Sequence, residues 1–244
     1  MEDVTPVPSA PAATPASSAP WPFPKRFAAV FTSPRALFEH LAERPTWLAP
    51  MILAVVLIAA FILILWDPVM LPETIEKIEE GGQNAEQGIE MMTTIGRWIT
   101  LITGVIGGVV VTFIWAAAVF FVGGFLLGGK MSYKHALSLV THAGLVAVPG
   151  LLVRIPLALF SKTAQVSIGP GAFFPPSQAE GFAAKFFANV LFNLDLFTIW
   201  QTALVALGVA VIARVPKGRA NLGIWGLFAV FVLLGSLAGA VFQP

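Results

Sequence analysis

Five long apolar runs, Leu48 to Trp66, Trp98 to Leu127, Ala136 to Phe160, Leu194 to Ala213 and Leu222 to Phe242, alternate with shorter polar stretches along the chain. None of them shows the two-residue alternation of a half-buried strand. Each is continuous and near or above the roughly 20 helical residues that cross a hydrocarbon core of about 30 Å. Lipid offers no partner to an unpaired backbone N–H or C=O, so helices are the expected form of every run. The pattern therefore predicts an all-α fold, a polytopic membrane bundle of five transmembrane helices. The second run is longer than a span requires, and is expected to tilt or to extend past the bilayer.

Ahead of the first run the pattern changes twice. Residues 1–24 hold seven of the 19 prolines among Ala, Ser and Thr, too little apolar surface to offset the entropy of ordering, and are expected to form a disordered tail. Residues 25–47 are expected to form an interfacial amphipathic region. Ser33-Pro34 is a good helix start, with the serine as cap and the proline in the first turn, and Pro45 stops the helix. Leu37, Phe38 and Leu41 make one apolar side, and Arg35, Glu39 and Arg44 the polar one; a solvated linker is the alternative. The tail lacks the basic start and apolar run of a cleaved signal peptide, so Leu48 to Trp66 is expected to serve as an uncleaved signal anchor.

Composition agrees with a membrane protein: 57% of the 244 residues are apolar and 11% charged, against roughly 25% charged in soluble domains. A net charge of +1 gives no pull toward nucleic acid, and the absence of cysteine removes disulfides, thiolate metal sites and a cysteine nucleophile. The distribution of charge is more informative. Lys25, Arg26, Arg35, Arg44, Lys130, Lys134, Arg214, Lys217 and Arg219 fall on one side of the five-span arrangement. Only Lys77, Arg97, Lys162 and Lys185 fall on the other, with Arg154 inside span three. The positive-inside rule then predicts a cytoplasmic N-terminus and an external C-terminus. Trp47, Trp66, Trp98 and Trp225 near span ends suit interfacial belts. The first external loop is acidic, with Asp67, Glu73, Glu76, Glu79, Glu80, Glu86 and Glu90. Pro72 is expected to open a helix that Gly81-Gly82 ends, and Asn84 to cap another. Glu76, Glu79 and Glu80 share a face but lack any calcium-loop spacing, so a solvated acidic face is expected, and no metal site.

Several motifs carry candidate chemistry. Gly124 to Lys130 has the outline of a phosphate loop, but Met131 stands where Ser or Thr is needed and no strand precedes it, so no nucleotide cofactor is expected. The pairs Gly104/Gly108, Gly124/Gly128 and Gly235/Gly239 are spaced four apart. They are candidate helix-packing sites, either within one bundle or between two copies. Ionisable groups inside a membrane are costly and mark candidate sites. Span three carries Ser138, Thr141, His142 and Arg154, and span four Asp195, Thr198, Gln201 and Thr202. His142, Arg154, Asp195, Thr198 and Gln201 form the candidate intramembrane polar site. Arg154 and Asp195 are expected at one depth, as a structural ion pair or as part of a headgroup or ion site. Ser138 and His142, one turn apart, have the residue types of a nucleophile and base, but no third member or oxyanion loop accompanies them, and no catalytic residue is assigned.

Phe31-Thr32-Ser33-Pro34-Arg35-Ala36-Leu37-Phe38 leading to Arg44-Pro45 resembles the opening of bacterial members of the Yip (Ypt/Rab-interacting protein) family. Gly128-Gly129-Lys130-Met131-Ser132-Tyr133-Lys134-His135-Ala136-Leu137, the Val148-Pro149 bend, and Leu194-Asp195-Leu196-Phe197-Thr198-Ile199-Trp200 with Gly208 follow in the family's order. The resemblance implies a polytopic bundle. Eukaryotic relatives bind Rab-type GTPases, but the Asp-Leu-Tyr-Gly-Pro motif of that branch is absent, so only fold and topology carry over. The expected function is a non-enzymatic protein of the bacterial cytoplasmic (inner) membrane that organises membrane lipids or protein partners, with self-association through its glycine faces. Transport or lipid translocation along spans three and four is the alternative.

Overall fold

In the computed structural model the described residues are 19–81 and 85–242. Most of the expected tail, and the turn positions Gly82 and Asn84, lie outside them. Among the described residues all regular structure is helical: α1 Phe23–Thr32, α2 Pro34–Glu43, α3 Leu48–Leu65, α4 Leu71–Glu80, α5 Ala85–Met91, α6 Arg97–Phe120, α7 Tyr133–Ala143, α8 Ala147–Ser161, α9 Gly181–Asn193, α10 Leu196–Ile212 and α11 Lys217–Phe242. Four continuous helical stretches are long and apolar enough to cross a membrane, and α9 with α10 forms a fifth that bends by 62°. The protein is an all-α polytopic membrane bundle.

The first two spans do not stop at the bilayer. A π-turn over Trp66–Met70, which contains Pro68, carries α3 into α4, and another over Met92–Gly96 carries α5 into α6. Proline lacks a donor for the i−4 bond, and a wide turn accommodates it. The helical stretches Leu48–Glu80 and Ala85–Leu126 thus hold 33 and 42 residues, or about 50 and 63 Å at 1.5 Å per residue. Trp66, expected in an interfacial belt, is instead 3% exposed, because Gly96 opens room for its ring; a Cβ there would lie 3.0 Å from it. Arg97 and Asp67 close the base of this acidic projection with an ion pair at 2.5 Å. Pro72 lies in the first turn of α4, which ends against Gly81. The end of the bundle that bears the projection is called the acidic end, and the opposite one the basic end.

The N-terminal region also departs from expectation. Phe23 and Pro24, assigned to the tail, open a helix of their own, so two short helices precede the spans. Ser33 sits between them but makes no side-chain cap; its carbonyl accepts from the Leu37 amide at 3.1 Å. The apolar side of α2 is not turned to lipid. Leu37, Phe38 and Leu41 are fully buried in the main core with Leu139, Val205 and Val209 from α7 and α10. Phe31 reaches the Trp200 ring edge-on at 5.7 Å. The wide apolar stripe that an interfacial helix spends on the membrane is here spent on the protein interior.

Close approach of helices explains some of the paired glycines and not others. A Cβ on Gly104 or Gly108 would lie 2.7 and 2.6 Å from Ile62 and Ile58 of α3, so this face packs within one chain. Gly239 faces Asn189 of α9 at 3.0 Å, whereas Gly235 meets nothing within 4 Å. Gly128 is not a packing residue: at φ +63° it makes a left-handed turn with nothing within 4 Å, and Gly124 packs only on its own turn, against Phe120 and the Met131 carbonyl. The close contacts at this corner fall to Gly123, against Val209, and to Gly129, against Ala213. The long connection after α8 contains α9, whose Phe182 and Phe187 are exposed.

Gly129→Ala places a Cβ 2.5 Å from the Gly123 carbonyl oxygen and 2.8 Å from that of Ala213, and is expected to cost about 1–3 kcal/mol. Gly107 has nothing within 4 Å, so Gly107→Ala is expected to be neutral or to stabilise by up to about 1 kcal/mol through helix propensity. Thermal unfolding in detergent, followed by circular dichroism, compares them; equal effects would contradict this packing.

Candidate functional site

Asp195 stands at the bend between α9 and α10, where the chain leaves one helix and starts another. Its extended backbone makes it the N-cap of α10, and its Oδ1 accepts from the Phe197 amide at 3.0 Å. Oδ2 accepts from the Ile168 amide at 2.7 Å, while Ile168 returns its carbonyl to the Leu196 amide at 3.1 Å. Arg154 of α8 completes the arrangement, with Nη2 2.6 Å from Oδ1. Asp195 is 3% exposed and Arg154 31% by side chain. The carboxylate therefore has three donors and also faces the positive end of the α10 dipole. The guanidinium is less well provided for. Its Nε is buried and has no hydrogen-bond partner among the described residues, and its Cζ lies 6.0 Å from the Phe197 ring centroid.

Beside this pair lies a cavity of about 340 Å³, lined by Arg154, Asp195, Asn193, Thr198, Phe61 and Val166 among others. A second cavity of about 370 Å³ runs toward the centre of the bundle between α3, α6, α7, α10 and α11. Asn193 and Thr198 belong to the walls of both. The inner wall is mainly apolar, with Met51, Val111, Trp115, Phe228 and Phe231, and bears no ionisable group. Three of its four threonine hydroxyls are already engaged: Thr112, Thr141 and Thr202 donate to the carbonyls of Gly108, Leu137 and Thr198 at 2.8 Å each. Gln201 lines the inner cavity as well.

The five residues of the predicted polar site thus divide. Arg154 and Asp195 line one of two adjoining cavities, Gln201 the other and Thr198 both. His142 does not join them; it lies 12 residues before Arg154, about 18 Å along the helical axis. It is fully buried, and its Nδ1 donates to the Ser138 carbonyl at 2.8 Å, the role that a carbonyl partner imposes on a ring nitrogen. The Ser138 hydroxyl faces away from it, donating to the Thr46 carbonyl at 2.8 Å and accepting from the Thr46 amide at 3.1 Å. A serine so committed is not poised as a nucleophile. These groups instead anchor the N-terminal helices, together with Arg26, which donates to the Thr46 hydroxyl, and His135, whose Nε2 meets the Ala42 carbonyl at 3.1 Å. The burial of Arg26 and the roles of Asn193 and Ile168 were not foreseen. Arg26 reads as one more flanking cation, and backbone donors have no sequence signal.

His40, on α2, stacks on Trp21 at 4.9 Å and accepts from its amide through Nε2 at 3.4 Å. Burial and then the charges of Arg26 and Arg44 lower its pKa below the ordinary 6.5, against the opposing pull of Glu43. The unfolded chain takes up a proton more readily, so this contribution to stability is present above about pH 6.5 and is lost as pH falls below it. The unfolding temperature in detergent is expected to drop between about pH 7 and pH 5, and His40→Gln to shallow the slope. An unaltered slope would exclude His40 as a contributor.

Arg154→Ala leaves Asp195 without its cation and is expected to destabilise by roughly 2–3 kcal/mol, tempered by the partial exposure of the arginine. Adding Asp195→Asn, which keeps the helix cap, is expected to recover part of that loss. Additive losses in detergent melting would reject the coupling.

Residues 28–239 match the Yip1 domain family. "Membrane protein YknW" of Bacillus subtilis (strain 168) is 27% identical over 221 residues, which cover 87% of this chain and 89% of the relative. No solved structure matches the chain. The family match runs from within α1 to within α11 and includes the ion pair, and the chain belongs to the Yip1 domain family.

Proposed function

We propose that this protein is a non-enzymatic organiser of lipid or protein partners, acting through its basic end, and that it lies in the bacterial cytoplasmic membrane with that end inside. One observation carries the reading. The Lys130 amide donates to the Ala213 carbonyl at 3.0 Å, drawing the connection after α6 and the connection after α10 together. Exposed Lys130, Lys134, Arg214, Lys217 and Arg219 then lie on two joined turns. A preformed cluster of this kind attracts anionic headgroups or acidic protein segments, at about 1 kcal/mol per cation near the surface. The charge asymmetry of the loops supports the orientation.

Transport or lipid translocation is the second reading, favoured by the two cavities that share Asn193 and Thr198. Reconstituted liposomes that show neither solute uptake nor lipid scrambling would remove it.

The leading reading is tested by purification from mixed anionic and zwitterionic lipid. Phosphatidylglycerol is expected to be enriched in the retained lipid, less so at high salt. The combined change Lys130→Gln, Lys134→Gln, Lys217→Gln and Arg219→Gln is expected to remove the salt-sensitive part of the enrichment. No enrichment, together with no protein cross-linked to this end in native membranes, would overturn it. For the orientation, Glu79→Cys is expected to react with an impermeant thiol reagent in intact cells and Lys134→Cys to be shielded; the reverse labelling would overturn it.

A further inference from the structure

The adjoining cavities suit a particular class of occupant. The inner one, at about 370 Å³, falls in the roughly 300–1,000 Å³ range of small-molecule sites. Three of its threonine hydroxyls, those of Thr112, Thr141 and Thr202, donate to their own helices, so a hydrophilic solute would surrender much of its hydration to a wall of Met, Val, Trp and Phe. An apolar chain would surrender little. The wall holds two amides, Asn193 and Gln201, which can donate and accept.

The other cavity sets the polar end. Asp195 is saturated by two backbone amides and by Arg154 Nη2, so it asks for nothing more. Arg154 lines that cavity with its side chain 31% exposed, and uses only Nη2 on the carboxylate. A guanidinium with spare donors, held in place by a carboxylate whose own needs are met, is a receptor for an oxyanion. Thr198 and Asn193 stand between this anion-seeking end and the more apolar cavity, in the walls of both.

We propose that the two cavities together form a binding site for one amphiphile with an anionic head, its carboxylate or phosphate on Arg154 and its hydrocarbon chain passing Gln201 between Met51, Trp115 and Phe228. The site is separate from the basic surface of the proposed function: Arg154 and Asp195 lie at the acidic end, and the inner cavity opens between the spans. A fatty acid and an acidic phospholipid share this chemistry and differ in the number of chains to be housed.

Native mass spectrometry of the full chain in detergent tests it. The fourfold glutamine variant of the basic end is used beside the natural sequence, so that adducts on that surface are removed. Oleate, dioleoyl phosphatidylglycerol, uncharged dioleoylglycerol and inorganic phosphate are titrated in turn. A single tightly retained adduct with oleate or with phosphatidylglycerol is expected in both backgrounds, and which of the two binds more tightly identifies the source. Dioleoylglycerol is expected to bind at least tenfold more weakly, and phosphate alone not to be retained. Ala54→Phe, which fills the inner cavity, is expected to abolish the adduct. Gln201→Phe, which narrows the same cavity, is expected to weaken it, and Arg154→Gln to remove the preference for the anion. Folding of each variant is checked by its helical circular dichroism and elution volume. Lack of a single-copy adduct in the natural sequence, equal binding of dioleoylglycerol, or an adduct unchanged in folded Gln201→Phe and Arg154→Gln would overturn the proposal. An adduct lost only in the basic-end variant would overturn it too, while leaving the surface reading intact.

Discussion

A break in a helix at membrane depth is tolerable only where each backbone group it frees finds another partner, and the junction between α9 and α10 is governed by this constraint. The chain turns by 62° there. The Asp195 carboxylate takes the amide of Phe197 at the start of the new helix and that of Ile168 from the preceding connection. Its charge is balanced by Arg154 from α8. One side chain therefore joins three separate segments. The connection lies so close to the junction that a Cβ on Gly169 would sit 2.5 Å from the Leu194 carbonyl oxygen, and one on Gly171 2.4 Å from the Phe192 Cα. The cavity beneath exists because the bend holds α9 against α11 instead of letting it continue the line of α10.

The parts of this architecture that follow from periodicity could be read in the chain itself. Continuous apolar runs announce membrane helices, and an arginine and an aspartate at matching depths announce a pair, because neither charge is stable there alone. What escaped reading depends on tertiary alternatives of similar local character. An amphipathic helix such as α2 has the same stripe whether it rests on lipid or on protein, and only the neighbours Leu139, Val205 and Val209 decide that Leu37, Phe38 and Leu41 are core. Likewise, four-residue glycine spacing is the same in Gly104/Gly108, which receives two isoleucines, and in Gly124/Gly128, where a left-handed turn ends the helix. His142 had the right residue type for the polar site. It lies on the wrong stretch of the helix, and its ring is held by the Ser138 carbonyl one turn earlier.

The two ends of the bundle are built on opposite plans. At the basic end, short connections are joined by backbone contacts between Gly129, Lys130 and Ala213, and the N-terminal helices are fastened by Arg26, Thr46 and Ser138. At the acidic end two helices run on into a projection whose base is held by Arg97 and Asp67 and whose side is touched by the Ala164 amide on Glu73 at 3.2 Å. A stiff, positively charged face and a reaching, negatively charged arm are thereby mounted on one bundle.

The arm has an electrostatic consequence of its own. Of the 33 residues from Leu48 to Glu80, about 20 suffice for the hydrocarbon, so the remainder carries Glu79 and Glu80 roughly 20 Å past it. The headgroup layer takes up only part of that height, and at physiological ionic strength charges are screened over about 8 Å. The tip therefore stands beyond the electrical reach of the lipid surface beneath it. Its carboxylates are largely screened from the lipid surface, and their field acts mainly on what approaches through water.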